Sequence, residues 1–172
     1  PRSYYDAVFQ TDNDEPSLKH YFWEISYNNL LVNTYHYPGT FGDNNTAYVD
    51  QFNRSYYQPY SGANPDGYQD SNERTQREHT LLANAINAIA PSVSPLLDID
   101  ADGNGFVDAV SFVIYGGTGD WADLLWPHRW ALYSQEVFIN GARVYDYLFM
   151  LGGSTYFNVG VLAHEFGHVL GA

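Results

Sequence analysis

The chain has no cysteine, one methionine and only seven basic side chains among its 172 residues. Without thiols, disulfides and thiol catalysis are excluded. The few Lys and Arg residues form no cluster and face 20 acidic side chains, for a formal charge of −13, which argues against nucleic-acid or anionic-membrane binding. No apolar run approaches the ~20 residues of a membrane span. No signal peptide opens the chain, and Pro1 reads as the start of a processed or trimmed polypeptide. What is present is a chain long enough for one domain with a sizeable core, and its low lysine, 16 tyrosines and acidic balance suit a secreted protein.

The most informative stretch is Gly160-Val161-Leu162-Ala163-His164-Glu165-Phe166-Gly167-His168-Val169-Leu170-Gly171, which contains an H-E-x-x-H motif. Asn158 is a good N-cap and Gly171 falls where helices commonly end, so a helix is expected from about Val159 to Leu170. Residues four apart share a helix face, so His164 and His168 can aim two imidazoles at one Zn²⁺ while Glu165 stands beside them as general base. Gly160, Gly167 and Gly171 share the histidine face, whereas Val159, Leu162, Ala163, Phe166, Val169 and Leu170 gather behind it. Glycine costs a helix roughly 1 kcal/mol against alanine, so three on one face suggest that this face must stay open or admit another backbone. The bland alternative is an amphipathic helix with two satisfied core histidines. The motif continues into the longer metzincin pattern, whose third ligand would fall two places past Ala172. These 172 residues would then hold two of three zinc ligands.

Elsewhere the periodicity is clear in places. Ser17 to Ile25 reads as a short helix capped by Ser17, and Leu30 to Tyr37, ending at Pro38-Gly39, as a strand. The Asn/Asp/Gly/Pro/Tyr-rich stretch 41–70 reads as a long loop, with room for an edge strand or an insertion. Leu81, Leu82, Ala85, Ile86 and Ile89 give the longest helical stripe, from about Glu73 to Ala90 and closed by Pro91. Phe106 to Tyr115 reads as a buried central strand. Leu125 to Tyr133 and Val137 to Met150 supply further strands, the latter turning at Asn140-Gly141. No internal repeat or domain linker appears.

A second chemical site lies between Asp98 and Asp108, where five oxygen-bearing side chains share a glycine-punctuated loop. Asp98, Asp100, Asp102, Asn104, the Phe106 carbonyl and Asp108 follow the first part of a calcium loop, with Gly105 at the sharp turn. Ser111 stands where an EF-hand has its bidentate Glu, so the loop is not a complete EF-hand. Hard oxygen ligands favour Ca²⁺ over zinc. The plainer reading is a solvated turn. In Trp126-Pro127-His128-Arg129-Trp130, Trp126 and His128 are candidates to line a cleft, although a histidine between aromatics is often packing.

Together these pieces resemble the immune-inhibitor-A-like family of secreted bacterial zinc metalloproteases. The resemblance rests on Ser17–Phe22 with Ile25-Ser26-Tyr27, the Asp98–Asp108 loop feeding Val110–Tyr115, Leu125–Trp130 and Gly160–Gly171, all in the right order. It implies an α+β zincin-like catalytic domain over residues 1–172, its N-terminal part, ending just after the active-site helix. In such a domain a twisted mixed sheet carries a backing helix, here Glu73–Ala90, and the active-site helix. The resemblance also implies export, endopeptidase activity on protein or peptide substrates, and a third zinc ligand beyond His168, commonly aspartate. By the same analogy, Trp126–Tyr133 would be an edge strand that binds substrate in extended form. Two other readings remain: an inactive fragment or pseudo-enzyme, and a calcium-stabilised binding module in which the H-E-x-x-H match is accidental.

Overall fold

The strand Asp146–Leu151 alternates its side chains between two apolar environments, and the fold is organised around it. Tyr147, Phe149 and Leu151 enter one hydrophobic cluster, whereas Leu148 and Met150 enter another. Such two-sided burial is what a central strand covered on both faces requires. A computed structural model describes residues 2–11, 15–39, 47–116, 126–153, 155 and 157–172. Among these are helices α1 (Arg2–Phe9), α2 (Leu18–Ile25), α3 (Ser71–Ile89) and α4 (Val159–Val169). The strands are β1 (Val110–Ile114), β2 (His128–Ala131), β3 (Phe138–Ile139), β4 (Ala142–Arg143) and β5 (Asp146–Leu151). The architecture is mixed α+β with a small mixed sheet, ordered β1-β5-β2. β1 runs parallel to β5, pairing Val110 with Tyr147 through Ile114 with Leu151, and β2 runs antiparallel, pairing His128 with Phe149.

The first cluster joins β5 to α3 through Leu81, Leu82, Ala83 and Ile86. α3 begins at Ser71, earlier than the expected Glu73, because Asp70 caps it. The Asp70 carboxylate accepts the Glu73 N–H at 2.8 Å, and Glu73 reaches back to accept the Gln69 N–H at 2.7 Å. The second cluster joins the other face of β5 to α4 through Leu162 and Ala163, and to α1 and α2 through Val8, Phe9, Leu18 and Phe22. Phe157, immediately before α4, is enclosed by the rings of Tyr5 at 5.1 Å, Tyr4 at 6.0 Å and Phe9 at 6.3 Å. Phe22 of α2 meets Phe166 on the back of α4 at 5.2 Å. Burying each such ring stabilises by about 1.5–3 kcal/mol, so α4 is held from behind by apolar contacts.

Several expectations change. α2 and its Ser17 cap are as expected, with Ser17 Oγ accepting the His20 N–H at 3.2 Å. The hairpin at Asn140-Gly141 also forms, both residues taking the positive φ (50° and 91°) that a tight two-residue turn demands. Leu30–Tyr37, however, is not a strand: it is held by side chains instead of a ladder. Its Thr34 N–H donates to Gln10 Oε1 at 3.3 Å, and His36 Nδ1 lies 2.6 Å from Asp6 Oδ1 of α1. The run from Phe106 shortens to β1, which lies beside β5 at one end of the sheet order with half-buried residues; the central strand is β5. An apolar run signals burial but carries no information about which neighbours it pairs with. The expected strand from Leu125 narrows to β2, and Leu125 itself lies outside the described residues. Within the expected 41–70 loop, residues 41–46 also lie outside them, and Arg54–Tyr57 forms one turn of 3₁₀ helix. Helix α1 was not expected, although Tyr5, Val8 and Phe9 carry a short helical stripe.

Candidate metal centre and acidic loop

α4 positions the histidine motif by ordinary helix chemistry. Asn158 caps it, its side chain accepting the Val161 N–H at 3.0 Å. At the other end Gly171 takes φ +89°, Gly171 N–H bonds to the His168 carbonyl at 3.3 Å, and Ala172 N–H bonds to the Gly167 carbonyl at 3.0 Å. These two bonds make a Schellman turn, which only a residue free to adopt positive φ closes without strain. The turn has a chemical consequence, because it brings the Ala172 carbonyl to 3.0 Å from His168 Nδ1. A carbonyl only accepts, so Nδ1 carries the proton, and in neutral His168 the Nε2 lone pair is left for a ligand.

That lone pair meets its partner one turn away. His164 Nε2 and His168 Nε2 lie 3.3 Å apart with their rings nearly perpendicular, at 81°. Two nitrogens each 2.0–2.1 Å from a tetrahedral ion stand about 3.3–3.4 Å apart, so the donor pair already has the spacing zinc requires. With no ion, His164 Nε2–H can donate to His168 Nε2 across the same gap. Both histidines are exposed while Glu165 is buried, only 9% accessible, and ligand atoms of the three lie within 4.8 Å of one another. The histidine face is open, as the glycines suggested. A Cβ on Gly160 would touch only Asn158 Oδ1, at 3.3 Å, and one on Gly167 only Ala172 Cβ, at 3.8 Å. The back of the helix is less uniformly buried than its pattern implies: Leu162 and Ala163 are inside, but Leu170 is exposed at the end of the turn.

β2 runs beside this helix; of the other candidates, His128 opens it and Trp126 lies two residues before it. Trp126 is exposed. The His128 ring is stacked on Phe149 at 5.5 Å and 6°. Its Nδ1 lies 2.5 Å from the Trp126 carbonyl and its Nε2 lies 3.0 Å from Glu78 Oε1. Tyr147 Oη–H donates to the same Glu78 oxygen in a short hydrogen bond. Burial alone would lower the His128 pKa. The hydrogen bond and charge of Glu78, the Trp126 carbonyl and the more distant Glu165 carboxylate together push it above the ordinary histidine value. Sequence reasoning missed Glu78 and Tyr147. The signal for Glu78 is an acidic residue three and four positions before Leu81 and Leu82, inside the apolar stripe of α3. Its neighbour His79 is fully buried, with Nδ1 2.6 Å from Ser134 Oγ, and burial lowers its pKa.

The acidic loop precedes β1. Carboxylate oxygens of Asp100, Asp102 and Asp108 lie within 4.8 Å of one another, a span that one ion with 2.3–2.6 Å calcium–oxygen bonds can bridge. The loop is shaped by its own backbone donors. Asp100 accepts the N–H groups of Asn104 and Gly105, both at 2.9 Å, and Asn104 Oδ1 accepts the Phe106 N–H at 2.8 Å. Gly103 and Gly105 supply positive φ. Partial burial raises the Asp108 pKa against the Ala101 N–H bonds, and the charges of Asp102, Asp100 and Asp98 raise it further. A divalent cation would remove that repulsion. We expect Ca²⁺ to raise the melting temperature, since a ligand that binds only the folded state stabilises it by mass action. Asp100→Asn with Asp102→Asn should abolish the response; a melting curve indifferent to both calcium and chelator would mark the loop as a solvated turn.

Compared with known proteins, the chain matches no protein-family model, and no curated protein matches it significantly.

Proposed function

We propose that this protein is a zinc-dependent endopeptidase, exported from the cell and acting on protein or peptide substrates. The observation that supports the reading best is the 3.3 Å spacing of His164 Nε2 and His168 Nε2, with the His168 tautomer set by the Ala172 carbonyl. His164 and His168 would hold the zinc with a third ligand, expected beyond Ala172. A zinc ion bound there supplies Lewis-acid polarisation of a carbonyl and lowers the pKa of a water towards ≈ 7. Glu165, next to the ligands yet buried, takes the proton of the attacking water and passes it to the leaving amine. The edge of β2 away from β5 has no partner strand among the described residues, so an extended peptide can add there through backbone hydrogen bonds, beside the exposed Trp126 and Trp130.

In this reading the domain is the zincin-like catalytic part of an immune-inhibitor-A-like protease, with Asp98, Asp100, Asp102, Asn104, Phe106 and Asp108 binding a structural Ca²⁺. The test is zinc content after dialysis together with casein cleavage by the intact protein. Cleavage should vanish with a chelator and return with added zinc. If the intact protein neither retained zinc nor cleaved casein, the proposal would fall.

A further inference from the structure

Glu78 is buried, sits on α3 across β5 from the helix that carries the histidine motif, and uses one oxygen to gather groups from two strands. Tyr147 of β5 and His128 of β2 both turn to its Oε1. A carboxylate on an otherwise apolar helix face is costly to bury unless such donors compensate it, and removing the donors or the acceptor leaves the others unsatisfied. The arrangement also fixes the charge on His128. Both its ring nitrogens face groups that only accept, the Trp126 carbonyl at 2.5 Å and the Glu78 carboxylate at 3.0 Å, so the fully bonded state carries a proton on each nitrogen. With both N–H groups engaged, His128 has no donor left for a substrate.

We propose that Glu78 is a positioning residue: its buried carboxylate holds His128 as an imidazolium and through it fastens the edge strand β2 to α3 and β5, setting where that strand lies against α4. The tether reaches the site by way of β2, because α4 packs on β2 and on β5. It acts at the strand's beginning, since His128 opens β2 and its Nδ1–H holds the carbonyl of Trp126 two residues earlier. The next residue, Arg129, pairs with Asp146 of β5, a second side-chain tie in the same half of β2. The groups that face His128 are Glu78 and His79 of α3, Tyr147 of β5 and Glu165 of α4. His79 is driven towards neutrality by burial and Tyr147 towards its neutral form, leaving the two carboxylates as the charges His128 answers.

The consequence for catalysis rests on the peptidase reading, so the experiment has arms that do not. In the intact wild-type protein, NMR titration of the His128 ring should give a pKa above the ordinary histidine value of about 6.5. In Glu78→Gln it should fall, because the hydrogen bond and charge that oppose burial most strongly are lost while only the Trp126 carbonyl and the more distant Glu165 remain. Hydrogen exchange at the β2 amides should quicken at least about tenfold more in this variant than exchange at β1, as expected of a local tether and not of general destabilisation. With zinc-loaded protein and a peptide substrate, kcat/KM should drop about tenfold or more, mostly through KM, because the strand that receives substrate is displaced while Glu165 and the histidines are untouched. If Glu78→Gln does not fold, Tyr147→Phe keeps the His128 bond to Glu78 and should keep its pKa above the ordinary value. A wild-type His128 pKa at or below 6.5, or one unmoved by Glu78→Gln, would overturn the proposal. A wild type without peptidase activity would overturn the peptidase reading instead, leaving titration and exchange to judge the tether.

Discussion

Glu165→Gln in the intact protein should leave zinc bound and lower peptide hydrolysis by at least about 10²-fold. The substitution keeps the shape of the side chain and removes its basicity. Shape matters because Glu165 is buried, so a truncation such as Glu165→Ala would mix a packing loss with a chemical one. The proposed zinc donors are His164 and His168 on the exposed face of α4, whose nitrogens stand 3.3 Å apart with the His168 tautomer fixed by Ala172 and without a contact from the carboxylate. Metal content measured by atomic absorption and cleavage of casein should therefore separate, with the first unchanged and the second nearly lost. Activity within a few-fold of wild type would remove Glu165 from the mechanism. Loss of zinc along with activity would mean that Glu165 supports the ligands instead of acting as the base.

The helix that carries the motif could be foreseen from the sequence because its determinants are local. The i, i+4 spacing of His164 and His168 and the offset of Glu165 follow from 3.6 residues per turn, and the caps Asn158 and Gly171 follow from backbone donors and acceptors that any helix end leaves unpaired. The same holds for Ser17 before α2, for the Asn140-Gly141 turn and for the Asp100–Asp108 loop, whose side-chain bonds among the described residues span at most seven residues. Where the sequence reading failed, the deciding partner is distant. β5 is central because β1 and β2, 36 and 18 residues earlier by their first residues, pair with it, and nothing in the run VSFVI distinguishes an outer strand from an inner one. Leu30–Tyr37 has strand-like composition but lies where Asp6 of α1 and Gln10, just past its end, bond to it in place of a ladder. β-propensity reports how well a residue fits a pleated surface, and it cannot provide the surface.

The site was legible to the same extent. The candidate metal face of α4 is a property of twelve consecutive residues, whereas the Glu78, His128 and Tyr147 contact draws on three elements, with Glu78 and Tyr147 69 positions apart. The sequence offered His128 either as a cleft residue or, more often for a histidine between aromatics, as packing; in the structure both its nitrogens are committed, one to Glu78 of α3. An acidic residue inside an apolar helical stripe is the one local sign of such a contact. It marks a buried charge that must find donors elsewhere in the fold, without saying where.

His164→Ala and His168→Ala should each lose zinc and peptidase activity together, to below detection in both assays. A catalytic zinc site needs three protein ligands, and either change leaves one of this pair. The positions make the result easy to interpret. Both side chains are exposed on α4, and alanine is the better helix former, by at most about 0.7 kcal/mol. The metal-free variants should therefore melt no lower than metal-free wild type, while the increase in melting temperature that zinc gives the wild type disappears. His168→Ala also removes the Nδ1–H bond to the Ala172 carbonyl, which His164→Ala leaves in place. Any fraying of the Schellman turn should thus appear in the first variant only, as faster exchange at the Gly171 and Ala172 amides. If either variant kept zinc at full stoichiometry, the ligand assignment would be wrong, and the 3.3 Å contact between the two rings would be a hydrogen bond on an ordinary helix face.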